Sequence, residues 1–263
     1  MGRRRRAFVA GALLLAACGG GGEPQLTPGP NGTLTAATLD SLWTVSGALL
    51  QQEEWSKAAT MLERLQLEFS STDPRRAELR LRLGDARLGD KSNLQAVREY
   101  RRLSDEFPTD TLAPYGLLRA GEAYARMWRR PELDPTYGAQ ALATWQELTT
   151  RFPASNAAKL AATRISEVEE KFAFKEYKAA TFYLKYKAYD SAILYLKDLV
   201  ANYPRAAIVP RALAELIGAY KTLGYEEDTR DTCVYFRRNH PEAPDLDAVC
   251  PQVAATPGGT PSR

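Results

Sequence analysis

Three cysteines and one histidine are the residues of this chain best suited to chemistry, and their placement limits what that chemistry is. Cys18 follows a short apolar run near the start. Cys233 and Cys250 lie seventeen residues apart near the other end, in a segment that also holds Pro241, Pro244 and Pro251. Three thiols and one distant imidazole do not make a zinc site. His240 stands directly before Pro241 and reads as a helix cap. No Gly-x-Ser-x-Gly occurs, and no nucleophile pairs with a base at a recognisable spacing. The acid pairs Glu53-Glu54, Glu169-Glu170 and Glu226-Glu227 read as solvated helix faces. Gly19 to Gly22 is not a phosphate loop, because no strand precedes it and no Lys-Ser/Thr follows. The sequence therefore predicts no enzyme, no cofactor and no metal.

What remains is an address and two thiols that could pair. Arg3 to Arg6 form a basic start, Ala7 to Leu15 an apolar run too short to span a bilayer, and Leu15-Ala16-Ala17-Cys18 a small-residue cleavage site. This tetrapeptide resembles a bacterial lipobox, which implies that residues 1–17 are a signal peptide and that Cys18 becomes the lipidated first residue. Gly19 after the cysteine is the type of residue that permits transfer to the outer membrane. The chain is formally +3, and Arg3 to Arg6 supply four of those charges, so the remainder carries −1. Nothing basic enough to bind nucleic acid is left. Export puts Cys233 and Cys250 in an oxidising compartment. They either form a disulfide that pins the tail over the last part of the fold or remain two free thiols.

The elements that must position these groups announce themselves by repetition. Ala58, Ala96, Ala141, Ala192 and Thr229 each have a large apolar residue seven positions on: Leu65, Leu103, Leu148, Leu199 and Phe236. Each has a ring eleven positions on: Phe69, Phe107, Phe152, Tyr203 and His240. Pro follows that ring in the last four copies and Ser70 in the first. The stretches between are rich in Ala, Leu, Glu, Lys and Arg with helical periodicity. Pro after the ring closes a helix, because it lacks an amide hydrogen and disfavours helix just before it. Counting back reaches Gly84, Tyr183 and Tyr220 on preceding helices. Small, Tyr, Ala and Pro in this order is the tetratricopeptide repeat pattern.

The predicted fold is therefore all-α, a tetratricopeptide-repeat superhelix of about five helical hairpins near 38–70, 76–108, 114–153, 173–204 and 210–241. The anchors are spaced unequally, by 38, 45, 51 and 37 residues. The third hairpin has a wider internal loop, Arg130 to Thr136. Ser155 to Lys171 is either a helix of its own or an extension of the next. Residues 18–34 are rich in Gly and Pro and predict a flexible tether. Residues 35–241 form the repeat domain, and residues 242–263 a tail that is partly disordered. On the first helices of such repeats, positions two, five, nine and twelve face the concave side. This register marks Trp43, Leu50, Leu81, Tyr115 and Leu118 as a groove for an extended peptide, with Asp40, Gly47, Glu78, Asp85, Leu88, Glu122 and Ala125 beside them. The same residues could instead pack the bore.

A lipobox cysteine, a short Gly-rich tether and five hairpins with unequal spacing resemble the BamD family of outer-membrane assembly lipoproteins. The likeness is strongest from Asp134 to Tyr220. It runs through Asp134-Pro135, Phe152-Pro153-Ala154-Ser155, Phe172-Ala173-Phe174-Lys175-Glu176, Phe182-Tyr183, Ala188-Tyr189 and Tyr203-Pro204. Tyr195 departs from it, standing where that family favours Arg. The resemblance implies a lipid-anchored protein on the periplasmic face of the outer membrane, helping to insert β-barrel proteins. It implies that the N-terminal hairpins bind unfolded outer-membrane proteins through Trp43, Leu50, Leu81, Tyr115 and Leu118. It also implies that the C-terminal hairpins dock the periplasmic domains of a BamA-like insertase through Glu176, Tyr183, Tyr195 and Arg211. Other lipoproteins of this repeat class, serving Tol-Pal or pilus assembly, are the alternative.

Overall fold

The ladder of rings becomes a ladder of helix ends. The computed structural model describes residues 34–251. The expected signal peptide, Cys18, the expected tether up to residue 33 and the last twelve residues of the tail lie outside the described residues. Ten helices pair as five hairpins: α1 (Ala36–Gln51) with α2 (Trp55–Glu68), α3 (Arg76–Gly89) with α4 (Asn93–Glu106), α5 (Ala113–Met127) with α6 (Thr136–Arg151), α7 (Asn156–Lys185) with α8 (Tyr189–Asn202), and α9 (Val209–Leu223) with α10 (Glu226–Asn239). One short turn, α11 (Leu246–Val249), follows. This is the tetratricopeptide-repeat fold that the sequence predicts.

Phe69, Phe107, Phe152, Tyr203 and His240 are the residues that end the second helices. Each donates its backbone N–H to the carbonyl of the apolar rung four residues before it. The four followed by Pro share one backbone conformation, with φ from −138° to −129° and ψ from 54° to 59°. Phe69, followed by Ser70, differs at φ −67° and ψ 131°. The apolar rungs and the four Ala anchors are fully buried. Thr229, in the last hairpin, is only half-buried, because among the described residues no further hairpin covers it.

Inside the hairpins, close approach depends on glycine meeting a ring. A Cβ at Gly84 would lie 2.4 Å from the Tyr100 ring, and one at Gly121 would lie 2.2 Å from the Trp145 indole. The tight turns of the first, second, fourth and fifth hairpins each need one left-handed residue. Glu53, Lys91 and Lys187 take it at φ 59°, 64° and 59°, and only Gly224 is the residue type suited to it.

The segment after the third hairpin is resolved as an extension. Ser155 caps α7 by accepting from the Ala158 N–H, and no Gly or Pro interrupts the next 30 residues, so one helix serves the third and fourth hairpins together. First helices touch one another along the array, α1 to α3, α3 to α5, α5 to α7 and α7 to α9. Among the described residues no two second helices bring their backbones as close, although α4 and α6 meet through the Arg101–Glu147 and Arg151–Asp105 ion pairs at 2.9 and 3.1 Å. First helices therefore form the inner side of the array. Among the described residues no helix is long and apolar enough to cross a membrane.

Candidate peptide groove and docking face

Two adjoining cavities of about 400 and 510 Å³ run along the inner helices. Leu50, Trp55, Asp85, Leu88, Arg119 and Arg126 line the first, between α1, α3 and α5. Arg119 and Arg126 also line the second, with Glu122, Ala125, Trp145, Arg164, Glu167, Val168 and Lys171 of α5, α6 and α7. The shared arginines make one groove of the two.

A ladder of charge crosses three hairpins along this groove. Asp85 accepts from the Tyr100 hydroxyl at 2.6 Å and from Arg119 at 2.7 Å. Arg119 also donates to Glu122 at 2.9 Å. Arg164 reaches Glu122 at 3.8 Å and Glu167 at 2.9 Å. Burial, with the Asp85 carboxylate adding to it, pushes the Tyr100 phenol far above its ordinary range, so it stays a donor. Burial works against the charge of Arg119, but its hydrogen bond to Asp85 and the nearby Tyr100 and Glu122 outweigh it and raise its pKa. Lys171 donates to the Trp128 carbonyl at 3.3 Å. Arg126 is exposed and, among the described residues, has no carboxylate within ion-pair distance. The groove thus presents an apolar floor, a fixed row of paired charges and one free guanidinium. Extended peptide backbones and carboxylates match such a surface.

The register placed its residues unevenly. Leu50 lines the groove, as do Asp85, Leu88, Glu122 and Ala125. Leu81 packs half-buried against the core between the second and third hairpins. Tyr115 is exposed at the start of α5. Trp43 is half-buried and covered: the Arg82 guanidinium sits 3.8 Å over its ring, and Phe69 lies 5.9 Å away. Leu118 requires a correction. It is only 5 % exposed, and its carbonyl accepts from the Trp145 indole N–H at 3.1 Å, so it belongs to the core of the third hairpin and not to an open groove wall. The arginines of the groove escaped the sequence reading, because Arg119 finds its partner Asp85 34 residues away.

On the other half of the array, Glu176, Tyr183 and Tyr195 come together between α7 and α8. The two tyrosine rings stack 5.3 Å apart at 15°. Burial raises the pKa of Glu176; Lys175 opposes the shift and Asp198 adds to it. The neighbouring Tyr183 phenol raises that of Tyr195. Arg211 stands one helix further, on α9. Its guanidinium lies 5.5 Å over the Tyr177 ring and 3.6 Å from Glu215, which also accepts from the Tyr177 hydroxyl.

Cys233 of α10 and Cys250 after α11 are joined by a disulfide, with Cα atoms 5.6 Å apart. It holds Leu246 and Cys250 in the core of the last two hairpins. His240 is a helix end, its N–H given to the Phe236 carbonyl at 2.9 Å and its ring 6.2 Å from that of Phe236.

An array of hairpins with a groove along its inner helices is a protein of the tetratricopeptide-repeat class. Residues 36–234 match the YfiO outer membrane lipoprotein model, and the chain belongs to that family. It is 22% identical over 203 residues to the outer membrane protein assembly factor BamD of Caulobacter vibrioides, a match covering 77% of this chain and 66% of that protein. The chain thus spans just under two thirds of that relative's length. Among solved structures, the TPR2AB domain:pHSP90 complex of yeast Sti1 is similar at TM-score 0.41 and 11% identity, over 79% of each chain. A thermophilic TPR protein of Thermus thermophilus is similar at TM-score 0.35 and 18% identity, over 80% of this chain and 95% of that one.

Proposed function

We propose that this outer membrane lipoprotein is a scaffold for the assembly of outer-membrane β-barrel proteins. It is anchored by lipid at Cys18 on the periplasmic face. The groove of the first three hairpins holds extended segments of unfolded barrel proteins. The face around Glu176, Tyr183, Tyr195 and Arg211 docks the periplasmic domains of a BamA-like insertase. The observation that carries the reading is the groove itself, where a peptide's apolar side chains meet Leu50, Trp55 and Leu88 and its carbonyls or carboxylates meet Arg126.

The test is a gentle-detergent pull-down of the tagged lipoprotein from its own membranes, read by mass spectrometry. A large outer-membrane barrel protein with repeated periplasmic domains, at near-equal amount, supports the reading. Peptidoglycan-linked or pilus components in its place overturn it. Glu176→Lys with Arg211→Glu should release the insertase, and unchanged copurification counts against the docking face. Arg126→Glu should weaken capture of a denatured barrel protein while leaving the insertase bound.

A further inference from the structure

The second half of α7 carries a face beside the docking residues, which it meets where the Phe182 ring packs edge-on to Tyr183 at 5.5 Å. Phe174, Lys178, Phe182 and Tyr186 follow one another at four-residue steps, and Lys175 and Lys185 flank them. At 3.6 residues per turn all six fall within a sector of about 120° on one side of the helix. The rings are not core: Phe174 is 38% exposed, Phe182 57% and Tyr186 64%. Lys178 and Lys185 stand beside them, at 5.3 Å from the Phe174 ring and 5.9 Å from the Tyr186 ring.

The cations of this face are spare. The nearest ion pairs along the chain are Arg164–Glu167 and Arg211–Glu215, and among the described residues none involves Lys175, Lys178, Lys185 or the following Lys187. Asp134 and Glu176 both feel the charge of Lys175. These side chains line none of the five best-formed cavities among the described residues. Protein partners anchor their strongest contacts in desolvated pockets, and these rings contribute to none of those five. A flat row of exposed rings flanked by long cationic stems matches a lipid–water interface, where rings sit at headgroup level and lysines reach the phosphates.

We propose that this face of α7 lies against an anionic lipid surface and so sets the orientation of the array on its membrane. The inference rests on the membrane attachment proposed above. The seventeen residues between Cys18 and the start of α1 span at most about 60 Å, which keeps the domain beside the leaflet.

The test uses the mature chain from residue 18 with Cys18→Ser, which carries no acyl group. It is floated with vesicles of phosphatidylcholine alone and of an equimolar phosphatidylcholine–phosphatidylglycerol mixture. The expected result is flotation with the anionic vesicles only, lost at high salt. Each lysine beside an anionic leaflet contributes about a fivefold gain in partitioning, so Lys178→Glu with Lys185→Glu lowers it at least about 25-fold. Phe182→Ser with Tyr186→Ser lowers it with the charge unchanged. Lys159→Glu with Lys197→Glu, the same change of net charge elsewhere, leaves most of it. No flotation with anionic vesicles overturns the proposal, as does an equal loss in the control pair. Capture of an acidic protein by these residues while vesicles fail assigns the face to a protein and overturns it too. Acylation of Cys18 is read separately from the mass of the native protein, so failure of the anchor leaves the vesicle result standing.

Discussion

Opening the Cys233–Cys250 bond should loosen the last hairpin and little else. The bond closes a loop with a sequence separation of 17, for which chain entropy gives about 3 kcal/mol. That stabilisation falls where the array is weakest. Among the residues of α10 only Phe236 is fully buried, because no following hairpin covers its outer face. The strap does the covering: Leu246 and Cys250 enter the core, Lys221 donates to the Val249 carbonyl, and Arg237 pairs with Asp247 at 3.2 Å. Repeats interact mainly with their neighbours, so the loss should stay local. A change of about 3 kcal/mol corresponds to roughly 100-fold faster exchange of amides that open with this hairpin. Hydrogen exchange of residues 226–239 in Cys233→Ser/Cys250→Ser, against the parent under non-reducing conditions, reads this directly. Amides of α3 to α6 should keep their protection. Unchanged protection in α10, or loss spread evenly over all five hairpins, would refute the reasoning, and two free thiols in the mass of the native protein would remove its premise.

Two glycines make a matched pair. Gly121→Ala should destabilise by about 2 kcal/mol or more, since its Cβ meets the buried Trp145 indole at 2.2 Å, whereas Gly218→Ala, with open space around it, should stabilise by about 0.5–1 kcal/mol in thermal or denaturant unfolding. Arg80 is 7 % exposed and pairs with Glu99 at 2.7 Å and Glu106 at 3.0 Å; Arg80→Met should cost about 2–3 kcal/mol, below the range for a fully buried pair because Glu106 remains in contact with water. The pKa of Glu176 is raised chiefly by burial, so its ionised form is disfavoured in the folded state. The penalty is absent below the unfolded pKa and complete above the folded one, so Glu176→Gln should stabilise the protein at neutral pH and leave it unchanged in acid, and a pH series of denaturant midpoints checks the sign.

The fold was legible because its signals are local. Each ring followed by Pro fixes a helix end within one turn of chain, and four such ends share one backbone conformation. The absence of Gly and Pro from 156 to 185 likewise leaves one helix where the sequence allowed two. The tight turns were less legible. Left-handed φ normally advertises itself as Gly or Asn, and Glu53, Lys91 and Lys187 carry neither signal. Their conformation is imposed by the hairpin, whose two helices are held by contacts such as Gly84 against Tyr100 in the second.

The groove was legible only in part, for a reason that lies between repeats. Register says which way a side chain leaves its own helix, and most of positions nine and twelve reach the groove, as Leu50, Asp85, Leu88, Glu122 and Ala125 show, while Gly47 lies under the Arg82 guanidinium instead. It does not say what the next helix lays over that position. Gly121 admits the Trp145 ring so closely that the indole N–H reaches the Leu118 carbonyl, and position five of the third hairpin disappears into the core. Arg82 does the same to Trp43 from the neighbouring hairpin. The charges move in the opposite direction. Arg119 and Arg126 sit one position beyond the marked ones, and the field of the groove arises when Asp85 of one hairpin holds Arg119 of the next, leaving Arg126 free. A repeat sequence therefore encodes its scaffold within each copy and its binding surface only between copies. For that reason Arg126→Glu, which removes a cation no residue of its own hairpin reveals, is the sharper probe of the groove, and Leu118→Ala should read out as lost stability with peptide capture by the folded fraction unchanged.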